Sequence, residues 1–376
     1  MLILAAILAI LVYGLIAPML GALLPTYQLT PGEQGTLATI QAVGLVIASL
    51  SAGPVIDKRG NKSALVAGLG LVAISLFMAP NTGGNYAVLL LAYLILGLGG
   101  GIVVTGANSL VSAVEPTRRS SALNFLNLFF GLGGILTTYA ASHLFTPVSL
   151  CYSVAVLTVI ALVINIATKM PGPSGASGFQ VSDVPALLSK PALILLSLFL
   201  FLYVACEVGV WNWLNSFLQK ERGFSASEAG NVVSYGFAFG ILLGRIVVSR
   251  ILVKVQPLTV TLFAAVLIGI TTFAMLKLDS PLAITIAVFC AGLSMAPMFP
   301  TTLGIIGDTF RHGTATAMGI AITCGWIGLA VSSKIIGKVT ESSTLAAGLL
   351  LLPVFAIVMV LVSLGLRAVL PRATTA

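Results

Sequence analysis

Four side chains in the stretch YVACEVGVWNWLNSFL, namely Tyr203, Glu207, Trp211 and Asn215, follow one another at four-residue spacing. On a helix that spacing puts them on one face. A carboxylate flanked by aromatic rings suits a sugar: it accepts hydroxyl hydrogen bonds while a ring covers the apolar C–H side. The same carboxylate could instead carry a proton or help hold Na+. A plainer use is a hydrogen bond to a polar neighbour that joins two helices. Glu207 stands in a long apolar run, and near a bilayer centre a carboxylate costs at least about 2.5–3.5 kcal/mol. It is therefore expected to face a polar cavity or pathway.

Further polar residues occur at similar depth in other apolar runs: Tyr13, Gln41, Asn108, Asn124, Asn127, Asn212, Asn231 and Trp326. Asparagine and glutamine both donate and accept, which is what paired sugar hydroxyls require. Asn124 and Asn127 are three apart and so are neighbours on a helix. Amides of this kind also tie membrane helices together, and the sequence leaves both uses open. Pro297 and Pro300 in MAPMFP, and Pro18 earlier, are expected to bend or loosen their helices and so to serve gating.

The elements that hold these residues follow from composition. The chain has 376 residues, of which 58% are hydrophobic and only 7% charged. A soluble domain carries about 25% charged residues, so most of this surface must face lipid. Apolar runs of membrane-spanning length recur throughout. We read twelve spans, near 2–24, 34–56, 64–80, 86–112, 120–144, 148–168, 191–218, 227–250, 258–277, 281–305, 313–337 and 344–370. Residues 169–190, rich in Pro, Gly and Ser, read as a cytoplasmic linker between an N-terminal six-helix bundle, 1–168, and a C-terminal one, 191–376. The fold class is an all-α membrane protein, and the first span reads as a retained helix.

Basic residues gather on one side of this layout, among them Lys58, Arg59, Lys62, Arg118, Arg119, Arg250, Lys254, Arg367 and Arg372, while only Lys220, Arg222, Lys277, Lys334 and Lys338 fall on the other. This bias places both termini in the cytoplasm and the chain in the inner membrane. It accounts for the net charge of +8 without a nucleic-acid partner. Lys334 reads either as a side chain snorkelling to the interface or as an attractor of anionic solutes such as sugar acids. Cys151, Cys206, Cys290 and Cys324 have no metal or CxxC spacing, and His143 and His312 make no relay. No catalytic constellation, cofactor or metal is expected, and the chain reads as a monomer. The run GLGGGIVVTG at 97–106 lies inside a span, where glycines let helix backbones approach closely.

The segment GPVIDKRGNK, Gly53 to Lys62, carries a sharper signal. It resembles the G-x-x-x-D-[RK]-x-G-[RK]-[RK] loop of the major facilitator superfamily, with Asn61 at one basic position. GILLGRIVVSR, Gly240 to Arg250, is similar to a degenerate second copy that keeps the glycines and basic residues but lacks the Asp. The resemblance implies gating roles for Asp57, Arg59, Gly60, Arg119 and Arg245. Asp57 is expected beside the start of the eleventh helix, near Gly313 and Thr314, where unsatisfied N–H groups stabilise a carboxylate.

The stretch from Cys206 to Arg245 looks like the E-x-x-x-W … GR pattern of fucose-permease-like sugar transporters. GLSMAPMFPT, from Gly292, resembles the tenth-helix element of that branch, and Asn108 with Leu123–Asn124 matches its fourth and fifth helices. What this implies is alternating-access transport of a monosaccharide or polyol at a central site between the bundles. The acids of that branch in helices 1 and 4 have no counterpart here, and Asn127 stands where many relatives carry His. H+ symport, Na+ symport and uncoupled transport therefore all remain open. The rival readings are an exporter of amphipathic drugs or metabolites and a transport-dead sensor.

Overall fold

The computed structural model describes residues 1–19, 23, 27, 29–172 and 184–370. The end of the first span, the middle of the linker, Arg372 and the side chain of His143 fall outside the described residues. Among the described residues there is no strand, and eleven helices are long and apolar enough to cross a membrane. A shorter apolar helix, Leu2–Ile16, precedes them. In chain order we label them α1 Leu2–Ile16, α2 Pro31–Arg59, α3 Asn61–Met78, α4 Tyr86–Val114, α5 Arg119–His143 and α6 Pro147–Ala167. The second six are α7 Pro191–Arg222, α8 Ala226–Ile251, α9 Pro257–Lys277, α10 Pro281–Thr309, α11 Thr314–Ser342 and α12 Leu345–Val369.

Local chemistry fixes where these helices begin. Thr30 and Glu33 form a capping box at α2, reinforced by Pro31, and Ser225 and Glu228 form the equivalent box at α8. Each box satisfies orphan N–H groups at a helix start reciprocally. Asn85 and Thr146 cap α4 and α6 with their side chains, and α7, α9 and α10 each open on a proline. Among the described residues three of these helices are interrupted, and α12 breaks at Leu350 into Leu345–Leu349 and Leu351–Val369. α1 stops at Ile16, just before Pro18, and α10 breaks into Pro281–Met295 and Met298–Thr309 around Pro297. A proline lacks the N–H a continuous helix needs. Pro300 falls in the first turn of the second α10 segment, where no N–H is required.

A repeat in the packing relates the two sequence halves. A side chain at Gly97 of α4 would run into the Gln41 carbonyl of α2, and one at Gly44 of α2 would meet the Leu94 carbonyl. In the second half Gly292 of α10 abuts the Phe237 carbonyl of α8, and Gly240 of α8 abuts the Phe289 carbonyl. In both halves glycine-to-backbone contact replaces side-chain packing, as expected where helices approach closely in a membrane.

The compact units nevertheless do not follow the halves of the sequence. One unit comprises Met1–Arg119, Leu126–Val184 and Phe310–Thr323; the other comprises Ser120–Phe125, Pro185–Thr309 and Cys324–Ala376. The first turns of α11 thus pack with the first six helices, and the first turn of α5 packs with the second six. The reason is steric. Gly53 of α2 admits the backbone of Ala315 and Thr316, Gly319 of α11 lies against the Ser49 carbonyl, and Gly304 of α10 lies against Ser120.

Candidate functional site

α7 is a 32-residue helix, and Glu207 stands at its middle. The face it shares with Tyr203, Trp211 and Asn215 opens progressively along the helix. Tyr203 is 0% exposed, Glu207 is half-buried and Trp211 is 41% exposed. Asn215 is half-buried and accepts a hydrogen bond from Gln219. Trp211 meets Phe237 edge-on, with ring centroids 5.1 Å apart at 75°. Phe237 belongs to a π-helical stretch of α8, Val232–Ala238. Such bulges reorient side chains and recur at functional sites. One position from Trp211, the Asn212 amide donates to the Ser333 hydroxyl of α11 at 3.2 Å, a polar contact between the two helices. Trp326 of α11 is half-buried, and Lys334 and Lys338 are exposed.

The three asparagines of α4 and α5 are placed differently. Asn127 donates to the Asn108 Oδ1 at 2.8 Å, and the Asn108 amide donates to the Val104 carbonyl at 2.8 Å. Asn124 donates to the Ser120 carbonyl and to the Thr301 hydroxyl at 2.9 Å, while its own Oδ1 is buried without a partner. All three are buried. Tyr13 is also buried and stacks on Phe130 at 5.2 Å. Gln41 is half-buried and its carbonyl supports the α2–α4 contact. Of the candidate substrate residues on α7, Glu207, Trp211 and Asn215 are open to different degrees, whereas Tyr203, the Asn108–Asn127 pair and Asn124 are withdrawn into the interior. Sequence reasoning passed over Phe237, Thr301 and Ser333, because aromatic and hydroxyl residues in a span carry no distinguishing pattern.

The GPVIDKRG segment forms a second, separate constellation. Asp57 is 4% exposed, and its Oδ1 accepts from the Ala315 N–H at 3.2 Å. Its Oδ2 accepts from the Thr316 N–H at 2.8 Å and the Thr316 hydroxyl at 2.7 Å. A carboxylate therefore satisfies orphan donors of the first turn of α11, two residues past the expected Gly313 and Thr314. Ala52, Ile56, Ala64 and Ala315 close an apolar cluster beside it. Gly60 ends α2 at φ +84, and Gly313 precedes α11 at φ +74, a backbone region that favours glycine. Arg59 is exposed, Arg119 donates to the Ser112 carbonyl at 2.8 Å, and Arg245 of α8 is 3% exposed.

Among the described residues, twelve apolar helices in two halves with repeated glycine contacts, a carboxylate at mid-span and a carboxylate-capped helix start define a polytopic membrane fold. The model of the Major Facilitator Superfamily matches residues 2–333, and the chain belongs to that family, whose members are transporters and not enzymes. It is similar to the MFS-type transporter YfkL of Bacillus subtilis, 27% identical over 71% of this chain and 69% of that one. It is also similar to the quinolone resistance protein NorA of Staphylococcus aureus, 28% identical over 61% of this chain and 60% of NorA. Among solved structures, the E. coli fucose:proton symporter FucP superposes with a TM-score of 0.86, covering 97% of this chain and 98% of FucP at 18% identity. At that identity the likeness is one of fold.

Proposed function

We propose that this protein is an inner-membrane secondary transporter that moves a small hydroxylated solute, a monosaccharide or related polyol, by alternating access, with Glu207 exchanging H+ or Na+. The observation that carries the reading is the α7 face. A half-buried carboxylate at mid-helix is followed by an exposed indole and an amide, with Asn212 and Ser333 beside it. Hydroxyls of a sugar match the oxygens and amides, and the indole covers its C–H face. The likeness to a fucose:proton symporter supports H+ as the co-substrate. The chain works as a monomer in the lipid bilayer with both termini cytoplasmic.

A second reading, export of amphipathic compounds, is favoured by the withdrawal of Asn108, Asn124 and Asn127, which leaves fewer amides for a sugar. The similarity to a quinolone resistance protein favours it too. The melting temperature of the purified protein against hexoses, pentoses, polyols, sugar acids and lipophilic cations separates the two. A ligand at 100 times its Kd stabilises the native state by about 2.7 kcal/mol. Stabilisation by one stereochemical class of sugar, followed by its flux into liposomes, supports uptake; stabilisation by lipophilic cations alone overturns it. Binding without flux would identify a sensor. Glu207→Gln should abolish ion-driven accumulation. Survival of solute exchange in that variant assigns Glu207 to coupling, and loss of binding assigns it to the solute.

A further inference from the structure

The Asn212–Ser333 hydrogen bond joins two helices that run the same way. Gly328 of α11 abuts the Phe201 carbonyl of α7, a side chain at Gly209 would meet Ile336, and one at Gly337 would meet Trp213. Residue numbers rise together along this seam, so α7 and α11 are parallel there, and all of these residues lie in one compact unit. Between parallel right-handed helices that meet at Asn212 and Ser333, the residue before the first and the residue after the second emerge on the same side, each about 100° round its helix. Those residues are Trp211 and Lys334. The pair on the other side, Trp213 and Ser332, is half-buried and buried, whereas Trp211 is 41% exposed and Lys334 is exposed. Lys334 stands eight residues before Ser342, about 12 Å short of the end of α11. The exposed apolar residues Val331 and Ile335 take the side of α11 turned away from Ser333, so Lys334 lies between them and the polar seam. Other cations at this end are occupied: Arg222 donates to the Leu276 carbonyl and covers Phe217, and Lys277 covers Phe273. Glu221 caps α12 and Glu228 closes the box on α8, so neither answers Lys334. Among the described residues Lys334 has no hydrogen bond or ion pair.

We infer that the solute is a polyhydroxy acid, an aldonate or uronate, and that Lys334 is the group that binds its carboxylate. The inference rests on the reading of the α7 face as the solute site and narrows it to the acidic members of the sugar class. Contacting helices lie about 8–10 Å apart axis to axis, so a six-carbon acid laid across Asn212 and Ser333 reaches the Trp211 indole on one helix and the Lys334 ammonium on the other. The Asn212 oxygen accepts from its hydroxyls, since the Asn212 nitrogen is held by Ser333. The Asn215 nitrogen donates to them, since the Asn215 oxygen is held by Gln219. Glu207, one turn nearer the Pro191 end than Trp211, takes the hydroxylated end of the solute, which keeps the two carboxylates apart.

The test is calorimetric titration of the purified protein with the aldonates and uronates of the common hexoses, each against its neutral aldose and polyol. It is run on the wild type, Lys334→Met, Lys334→Arg, Lys338→Met and Trp211→Ala. At least one acid should bind the wild type more tightly than its neutral parent does. A hydrogen bond to a charged group spans about tenfold to a hundredfold in affinity, so Lys334→Met should weaken that acid by this factor and leave the neutral parent within about threefold. Lys334→Arg should retain the preference for the acid, and Lys338→Met, one turn further out, should leave it unchanged. An unchanged acid affinity in Lys334→Met, as for a side chain that only reaches the membrane interface, overturns the inference. An equal loss for acid and neutral parent, or an equal effect from Lys338→Met, overturns it too. Trp211→Ala separates this from the underlying reading. If it weakens a neutral sugar while the wild type prefers no acid, the site stands and only the role of Lys334 fails. If no sugar or acid binds, or Trp211→Ala changes nothing, the reading of the α7 face itself fails. Should Lys334→Met not fold, Lys334→Cys in a background lacking the four native cysteines decides. Its acid affinity must be low and must return when 2-aminoethyl methanethiosulfonate restores an ammonium at that position.

Discussion

Replacing Asp57 by Asn removes a charge with almost no change of shape, and the geometry around it fixes how much is lost. Asp57 uses both oxygens, one for Ala315 and one for Thr316, and Thr316 adds its hydroxyl. An amide keeps one acceptor oxygen, so one of the two backbone N–H groups must face an NH2 in a buried site. Leaving a buried donor unsatisfied costs about 1–3 kcal/mol, and the lost charge at the helix start adds about 0.3–2 kcal/mol. When α11 leaves α2 these groups reach water, which offsets part of the loss, and a net weakening of about 2 kcal/mol remains. At 1.4 kcal/mol per tenfold, the separated population rises about 25-fold.

A cysteine at Ala52 reports it, because Ala52 is packed in a buried cluster with Ala315. In a background lacking Cys151, Cys206, Cys290 and Cys324, the maleimide labelling rate of Ala52→Cys should rise by that factor in Asp57→Asn. Thr316→Val deletes only the hydroxyl hydrogen bond, about 1 kcal/mol, and should raise the rate about fivefold. A labelling rate unchanged within about threefold in Asp57→Asn would refute the reasoning, as would a larger effect from Thr316→Val.

Three further outcomes follow from the packing. Asn127→Ala strips the buried Asn108 Oδ1 of its donor, so the melting curve should show a loss of about 1–3 kcal/mol with solute affinity unchanged; a fall in affinity without destabilisation would return the pair to the binding site. Gly97→Ala and Gly292→Ala each force a side chain against a backbone carbonyl and should each destabilise by about 1–3 kcal/mol. Gly70→Ala meets open space and should be neutral or better in the same thermal assay. Glu221→Gln weakens the cap on α12, where the carboxylate accepts from the Leu345 N–H at 2.6 Å and the Ala346 N–H at 3.1 Å. Hydrogen exchange at the start of α12 should rise about tenfold, with exchange at α11 unaffected.

The spans were legible because two signals coincide: apolar length, and helix starts marked by Thr30, Asn85, Ser225 or a proline. α10 shows where such reading blurs. Both prolines of MAPMFP were expected to loosen it, yet the break falls at Pro297 alone, since Pro300 occupies a first turn that needs no N–H. The α7 face was legible from four-residue spacing in one helix. The fate of Asn108, Asn124 and Asn127 was not, because whether an amide faces a cavity or another amide depends on which helices meet. Asp57 was legible for a different reason: GPVIDKRGNK resembles a loop of the major facilitator superfamily, and that resemblance put its carboxylate beside a helix start, although the identity of its partner, Thr316, needed the fold.

The two halves show why some features repeat and others do not. The glycine contacts recur, Gly44 with Gly97 in the first half and Gly240 with Gly292 in the second. Backbone-to-backbone approach has one solution, and any side chain there collides with a carbonyl. The charged residues near the same helix ends are free of that constraint. α2 ends with Asp57 on a helix start drawn from the other half, whereas α8 lacks the Asp and carries Arg245, itself buried. One copy holds a helix end with a carboxylate and the other buries a guanidinium. The divergence implies that their losses separate: Asp57→Asn should change how readily α11 leaves α2 and expose Ala52→Cys, and Arg245→Met should leave the labelling of Ala52→Cys unchanged. A variant pair that failed this separation would mean that Asp57 and Arg245 form one device.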